Sequence, residues 1–260
     1  MLTPEQIDHF ETFGFLVLRQ LFTPEEAAIM KRESIEIFDE VRGGKPFTGE
    51  KWEQVQPFFE RKPFLSQLPA DDRFYGLGES LLGPDFFLIG TEGNLHVGQT
   101  PWHGGPEDGV SLPTIKITVY LDSVTKDTGA LRVVPGSHRR SSPDYLQILY
   151  HRNRDDDFMP FGVRPWEVPY FPLESQPGDL VVFTENVLHS SFGGKAGRHQ
   201  HAVSFMANPK TDDEVAYIRN SYAGWKYALH PPESYVNSDH PRLRRMVSRL
   251  VEWGFETSKV

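Results

Sequence analysis

Two histidines in this 260-residue chain lie beside apolar segments that are typical of strands, and their imidazoles could bind a metal ion. His103 lies in the segment 102–105 (WHGG), and His189 follows a predicted strand near residues 179–183. The chain contains no cysteine, so thiolate sites are excluded and any metal must be held by His, Asp or Glu. Two imidazoles and one carboxylate on one face of an octahedron leave three positions open, as in non-haem iron sites.

Several short motifs surround these histidines in a fixed order, which resembles the phytanoyl-CoA dioxygenase family of Fe(II)/2-oxoglutarate oxygenases over roughly residues 85–207. That family has H-x-D, a strand ending in Leu-Asp, a Gly-Ala-Leu segment, P-G-S-H, a Gly-Asp turn, a distal His and an Arg. The matching segments here are 102–105, Thr114 to Asp122, 128–131 (TGAL), 135–138 (PGSH), 177–179 (PGD), His189 and Arg198. Each motif alone is a weak signal, and their common order makes the resemblance strong.

The resemblance implies which residues would hold the cofactors. His103 and His189 would bind iron, with 2-oxoglutarate in two of the open positions and O₂ in the third. Arg198 would bind the far carboxylate of 2-oxoglutarate, since a planar guanidinium pairs with a carboxylate through two hydrogen bonds. Ser191 would add a hydroxyl to that carboxylate.

The sequence also predicts roles for Lys116, Thr118 and His138. Lys116 and Thr118 share one face of their predicted strand and would also touch 2-oxoglutarate if that face points inward. His138, in the segment 135–138, is expected to stabilise a turn rather than to bind metal.

Position 105 departs from the family pattern, because Gly105 stands where the family has Asp. In one interpretation the free coordination position takes chloride, as in the aliphatic halogenases in which H-x-G replaces H-x-D. The enzyme would then be a radical halogenase acting on an aliphatic C–H bond. In the alternative, Glu107 or Asp108 supplies the carboxylate and the enzyme is a hydroxylase. A non-catalytic binding relative or a deliberately altered active site is the third interpretation.

The substrate class is the least determined property. The segment 139–178 is rich in charge, Pro and aromatic residues and is predicted to be a loop insertion over the active site. One interpretation is a solvated loop. In the other, its basic residues bind an anion, and the substrate is then a nucleotide or another anionic metabolite. A free amino acid or an alkaloid remains open. The residues considered for contact with an anion or a ring are Arg139, Arg140, His151, Arg152, Arg154, Arg164, Trp166, Tyr170 and Phe171.

The sequence pattern around these residues predicts a mainly β fold with flanking helices and a jelly-roll, cupin-like core. Short apolar runs bounded by Gly, Pro, Asn and Asp recur through the middle of the chain, as in β-sandwiches and barrels. They cover residues 86–90, 114–121, 130–134, 179–183 and 201–207, and a further strand is predicted at 15–18, between the first two helices. Helices are predicted at about 4–12, 24–41 and 71–82 and from Pro241 onward, the first two behind Thr-Pro-Glu caps. We expect one domain over residues 1–260.

Composition limits the classes of partner. The formal net charge of −9 excludes general binding to a nucleic-acid polymer, which needs a basic surface. The chain has no apolar run of roughly 18 residues and no basic-then-apolar leader. The expectation is a soluble cytoplasmic enzyme that acts on a small molecule away from membranes, with no prediction of its oligomeric state.

Overall fold

Two antiparallel sheets form the centre of the fold in the computed structural model, which describes residues 2–104, 112–139, 149, 159–222 and 229–259. The larger sheet has the strand order β1-β8-β5-β10-β3-β2, and the smaller has the order β4-β9-β6-β7. In chain order the strands are β1 (Phe15–Leu18), β2 (Glu53–Val55), β3 (Phe86–His96), β4 (Thr100–His103), β5 (Thr114–Tyr120), β6 (Leu131–Val133), β7 (Phe171–Leu173), β8 (Leu180–Thr184), β9 (His189–Ser191) and β10 (Arg198–Ala207).

Alternation along the strands separates the two faces of the larger sheet. On β5, Ile115 and Ile117 belong to a hydrophobic cluster that includes residues of the covering helices. The intervening Lys116 and Thr118 line a cavity between the sheets. Successive strand residues point to opposite faces, so an apolar outer face and a polar inner face follow from one sequence pattern.

Helices flank the larger sheet, most of them against its outer face. They are α1 (Pro4–Phe13), α2 (Pro24–Val41), α3 (Asp72–Leu82), α4 (Asp212–Tyr222), α5 (Glu233–Val236) and α6 (Pro241–Glu252). Thr3 and Thr23 form the predicted capping boxes with Gln6 and Glu26, which satisfies backbone N–H groups at the starts of α1 and α2. None of the described helices is long and apolar enough to cross a membrane.

The predicted fold class is confirmed, and the elements that the sequence did not predict are the helices α4 and α5 and several short strands. The strands β2, β4, β7 and β9 are only three or four residues long. Such segments contain too few residues to show a hydrophobic period. The end of the predicted insertion contains β7, which pairs with β6 in the smaller sheet, preceded by 3₁₀ turns at Pro160–Gly162 and Pro165–Glu167.

Candidate active site

The two predicted metal-binding histidines lie side by side in the smaller sheet. His103 on β4 is directly opposite His189 on β9, and their ring centroids are 3.9 Å apart. Both line a cavity of about 690 Å³ between the sheets. The fold therefore brings together the two imidazoles that the sequence leaves far apart.

Hydrogen bonds fix the tautomer of each ring. His103 Nδ1 lies 2.8 Å from the carbonyl oxygen of Pro101, and His189 Nδ1 lies 2.7 Å from that of Val187. A carbonyl oxygen can only accept, so each Nδ1 carries a proton and donates it. In a neutral imidazole the lone pair is then on Nε2, which is the usual arrangement of a metal-binding histidine.

Burial keeps both rings neutral. It lowers the pKa of His103 below its usual value, and it lowers the pKa of His189 well below that value, with His103 adding to the second effect. A neutral ring can give its Nε2 lone pair to a cation. The donor set therefore fits the Fe(II) ion that the sequence predicts.

The P-G-S-H turn holds the strand that carries His189. The hydroxyl of Ser137 accepts a 2.8 Å hydrogen bond from the backbone N–H of Leu188, and Val134 N–H donates to Leu188 O at 2.9 Å. His138 lies in the same turn, with Nε2 3.3 Å from the carbonyl oxygen of Glu11. It does not line the cavity, in agreement with the predicted turn-stabilising role.

Arg198 and Ser191 lie together at one end of the cavity, as predicted. Arg198 Nη1 donates to Gly129 O at 2.9 Å, and Nη2 donates to Gly98 O at 3.0 Å. The Ser191 hydroxyl donates to the same Gly129 carbonyl at 2.9 Å and lies 3.4 Å from Nη1. A guanidinium and a hydroxyl thus converge on one place beside the histidines.

Arg198 is a buried cation whose protein partners are uncharged. Its side chain is 6% exposed, and Nε has no hydrogen-bond partner. No carboxylate of the described residues forms an ion pair with it. A buried charge is costly unless an opposite charge accompanies it. This orphaned donor fits the far carboxylate of 2-oxoglutarate.

The Thr128-Gly129-Ala130-Leu131 motif makes room for that guanidinium. Gly129 has φ +92°, and a Cβ there would lie 1.5 Å from Arg198 Nη1. A Cβ at Gly194 would lie 2.0 Å from Arg198 Cζ. A Cβ at either position would displace the Arg198 guanidinium, and at Gly129 the positive φ also favours glycine, which explains the glycine of the motif.

Lys116 and Thr118 face the cavity, but their partners differ from the prediction. Lys116 Nζ lies 3.2 Å from Glu92 and 3.8 Å from Glu185, so it is already held by carboxylates. Burial alone would lower the pKa of Lys116, yet Glu92 and Glu185 raise it. Thr118 accepts a weak 3.4 Å hydrogen bond from Gln200.

Sequence reasoning missed both of these carboxylates. Glu92 lies within β3, and Glu185 directly follows β8. Charged residues inside or at the end of buried strands were the available signal, because Asp and Glu are almost never buried without a partner.

The residues considered for the third coordination position fall outside the described residues. Gly105, Glu107 and Asp108 belong to residues 105–111. Within the described ranges, no group of three or more His, Asp or Glu side chains could hold a metal. Gly104 is described, and a Cβ there would lie 2.5 Å from Val187 O at φ +83°. Glycine is thus required directly after His103 by the close approach of the segment before β9.

Of the residues predicted to contact substrate, those that the structure describes do not line the cavity. Trp166 and Phe171 are each 49% exposed, and Phe171 stacks on Phe15. Arg139 is exposed and donates to Glu11 O. None of the three lines the cavity. The structure describes Arg164 and Tyr170, which do not line it either. Arg140, His151, Arg152 and Arg154 lie outside the described residues.

Comparison with known proteins agrees with this geometry. The phytanoyl-CoA dioxygenase (PhyH) family matches residues 10–201. Ectoine dioxygenase from Bordetella bronchiseptica is 25% identical, covering 95% of this chain and 83% of its own. L-proline trans-4-hydroxylase from Streptomyces griseoviridis is 37% identical over 60% of this chain and 65% of its own.

Solved structures share the fold. HygX from Streptomyces hygroscopicus, with nickel and 2-oxoglutarate bound, has a TM-score of 0.65 at 21% identity and covers 81% of this chain and 89% of its own. EctD from S. alaskensis in its apo form has a TM-score of 0.61 at 20% identity, with 79% and 77% covered. With a match over residues 10–201 and the motifs in family order, this chain belongs to the phytanoyl-CoA dioxygenase family, within the Fe(II)/2-oxoglutarate-dependent dioxygenase superfamily.

Proposed function

We propose that this enzyme uses Fe(II), 2-oxoglutarate and O₂ to hydroxylate an aliphatic C–H bond of a small molecule. The observation that carries the proposal is the shared cavity of His103, His189 and Arg198. It combines two neutral imidazoles with a buried guanidinium that has no anionic partner among the described residues. The names of the relatives, an ectoine dioxygenase and a proline hydroxylase, support hydroxylation as the outcome.

Each residue has a defined task in this proposal. The Nε2 atoms of His103 and His189 hold the iron, and Arg198 with Ser191 holds the far carboxylate of 2-oxoglutarate. Together, the bound iron and co-substrate supply the oxidant that removes a hydrogen atom from the substrate. Phe183, whose ring centroid is 4.9 Å from that of His189, gives the cavity an apolar wall beside the proposed metal site. Glu107 or Asp108 would supply the carboxylate ligand for hydroxylation.

Halogenation is the second candidate, and Gly105 is the specific observation that favours it. A glycine offers no side chain to the metal at the position where the family has Asp. A chloride ion would restore the missing negative charge and fits the space that a carboxylate would fill. The substrate radical would then combine with chlorine instead of hydroxyl.

One set of assays separates these outcomes. The protein is incubated with Fe(II), 2-oxoglutarate, O₂ and candidate small molecules, with chloride, with bromide and without halide, and succinate and products are measured by mass spectrometry. Hydroxylated product at equal yield without halide supports hydroxylation. Halogenated product that requires halide overturns it in favour of the second candidate. Absence of succinate under every condition overturns both.

Replacement of Gly105 by Asp gives an independent comparison. The variant supplies the carboxylate of the family pattern, so hydroxylation should persist or increase and any halogenation should be lost. Retained halogenation in Gly105→Asp would show that the halide does not occupy that position.

A further inference from the structure

The cavity has a second end, away from Arg198, that the cofactors do not explain. Strand β10 runs along the cavity from Arg198 to Ser204, six residues later, which spans roughly 20 Å at about 3.3 Å per residue. Ser204 is in register with Lys116 on β5, and Lys116 is in register with Phe183 on β8. Phe183 contacts the ring of His189, so this second end adjoins the metal site.

The charge of this end is negative. Apart from Arg198, the charged side chains other than histidine that line the described part of the cavity are Glu92, Lys116 and Glu185. One ammonium faces two carboxylates, which leaves an excess of one negative charge. A cavity with low-dielectric walls strengthens the interaction of such a charge with a ligand.

The two carboxylates differ in how far they are satisfied. Glu92 is held by Lys116 at 3.2 Å, by Gln56 at 3.1 Å and, more weakly, by Gln54 and Asn94 at 3.4 Å. Burial would raise its pKa, but Lys116 lowers it instead. Glu92 therefore serves as the fixed counter-charge of Lys116.

Glu185 has capacity left for a ligand. Its Oε1 accepts a 2.9 Å hydrogen bond from Ser204 and lies 3.8 Å from Lys116 Nζ. Its Oε2 has no hydrogen-bond partner among the described residues, and the side chain is 30% exposed to the cavity. An ionised carboxylate can accept about four hydrogen bonds. Tyr217 and Tyr222 of α4 line the same end, and aromatic rings favour cations.

We propose that Glu185 binds an ammonium group of the substrate, so that the substrate is an amine or an amino acid rather than an anionic nucleotide. This inference rests on the proposed function, because it assigns Arg198 to 2-oxoglutarate. A phosphate at this end would lie beside two carboxylates and one ammonium that is already paired, which is unfavourable. A protonated amine would neutralise the excess charge and donate to the open oxygen of Glu185.

The test is anaerobic calorimetry on the protein loaded with Ni(II) and 2-oxoglutarate. The probes are L-proline, L-lysine and ectoine, each amino acid also in its N-acetylated form, and adenosine monophosphate. At least one amine-bearing probe should bind, and an amino acid should bind at least ten-fold more tightly than its N-acetylated form. Equal affinity of the paired forms, or preferential binding of the nucleotide, overturns the proposal.

Two variants localise the effect. Glu185→Gln keeps the shape and the contact with Ser204 but removes the charge, so the preference for the free amine should fall at least ten-fold. Glu256→Gln, at an exposed position that does not line the cavity, is the matched control and should leave the preference unchanged. An unaltered preference in Glu185→Gln contradicts the assignment.

Binding of 2-oxoglutarate, measured in the same samples, keeps the two proposals apart. If 2-oxoglutarate binds but no probe prefers the free amine, the inference about Glu185 fails and the proposed function stands. If 2-oxoglutarate does not bind, the proposed function fails. The preference for the free amine is then measured on the protein loaded with Ni(II) alone.

Discussion

At the scale of single residues, the guanidinium of Arg198 is a buried charge that forms no ion pair with a carboxylate of the described residues. It is 6% exposed and bound only by carbonyl and hydroxyl oxygens. An arginine in this state gains more from an anionic ligand than an exposed one does, since its charge is already partly desolvated. Its role can therefore be tested by binding alone.

Replacement of Arg198 by Met should weaken 2-oxoglutarate binding by at least roughly 30-fold, because truncating one partner of a buried charge pair costs about 2–5 kcal/mol. The measurement is calorimetric titration of the Ni(II)-loaded protein under anaerobic conditions. Arg249→Met, at a half-exposed position on α6, should bind 2-oxoglutarate as the unaltered protein does. Equal affinity in Arg198→Met would remove Arg198 from the co-substrate site.

A second residue-scale prediction concerns Gly129. Its replacement by Ala places a Cβ 1.5 Å from Arg198 Nη1, so the guanidinium must move and 2-oxoglutarate binding should fall at least ten-fold. Gly43→Ala is the matched control, since Gly43 also has a positive φ of +63° but nothing lies within 4 Å of its Cβ position. If both variants retain full affinity, the close approach does not position Arg198.

Residue types and motif order were enough to predict that His103, His189, Ser191 and Arg198 lie at one cavity. The side-chain type of each residue limits the ligands it can bind, and the surrounding motif narrows its role further. Glu185 could not be found in this way. Its significance depends on Lys116 and Ser204, which reach it from two other strands. A contact between distant strands leaves no trace in local spacing.

At the scale of elements, the short turn of Pro135 to His138 links α1 to the strand that carries His189. Gly136 N–H donates to Phe13 O, and the Ser137 hydroxyl accepts from Leu188 N–H. The family motif thus has a structural role in which Ser137 aligns β9.

Ser137→Ala should lower the free energy of unfolding by about 1–3 kcal/mol, because the buried N–H of Leu188 loses its acceptor. It should also weaken Ni(II) binding, since His189 directly follows Leu188 in the chain. Urea unfolding and metal titration measure the two effects. Ser248→Ala, exposed on α6, should change stability by no more than about 0.5 kcal/mol. Unchanged stability and metal affinity in Ser137→Ala would contradict the proposed link.

Four helices and most of the apolar strands could be predicted from the sequence, while α4, α5 and the short strands β2, β4, β7 and β9 could not. Thr3 and Thr23 begin their helices with the predicted caps, and α6 begins at Pro241 as expected. The strands β4 and β9 contain His103 and His189, the proposed metal ligands, yet polar side chains and a length of three or four residues conceal these strands in the sequence. Their pairing comes from the smaller sheet as a whole, in which β9 lies between β4 and β6.

At the scale of the whole molecule, Asp122 joins the helical layer to the larger sheet. Its carboxylate accepts from Lys31 of α2 at 2.8 Å and from the backbone N–H of His199 on β10 at 2.8 Å. Burial would raise the pKa of Asp122, but the hydrogen bonds from His199 and Lys31 lower it instead. The Leu-Asp end of β5 therefore has a structural explanation that is independent of the cofactors.

Because this pKa is lower in the folded state than in the unfolded chain, Asp122 stabilises the fold above about pH 4, the usual range of an unfolded aspartate. The contribution is lost as the pH falls below that value. Asp122→Asn should reduce the free energy of unfolding at pH 7 by about 1 kcal/mol, a modest value because the side chain is 39% exposed. The difference between the variant and the unaltered protein should shrink steadily as the pH falls from about 4 towards the lowered folded-state pKa of Asp122. Asp8→Asn, an exposed change on α1, should follow the unaltered protein throughout. Urea unfolding at a series of pH values measures these differences. If the free energies of unfolding of Asp122→Asn and the unaltered protein differ by the same amount at every pH, the charge of Asp122 does not hold the helical layer to the sheet.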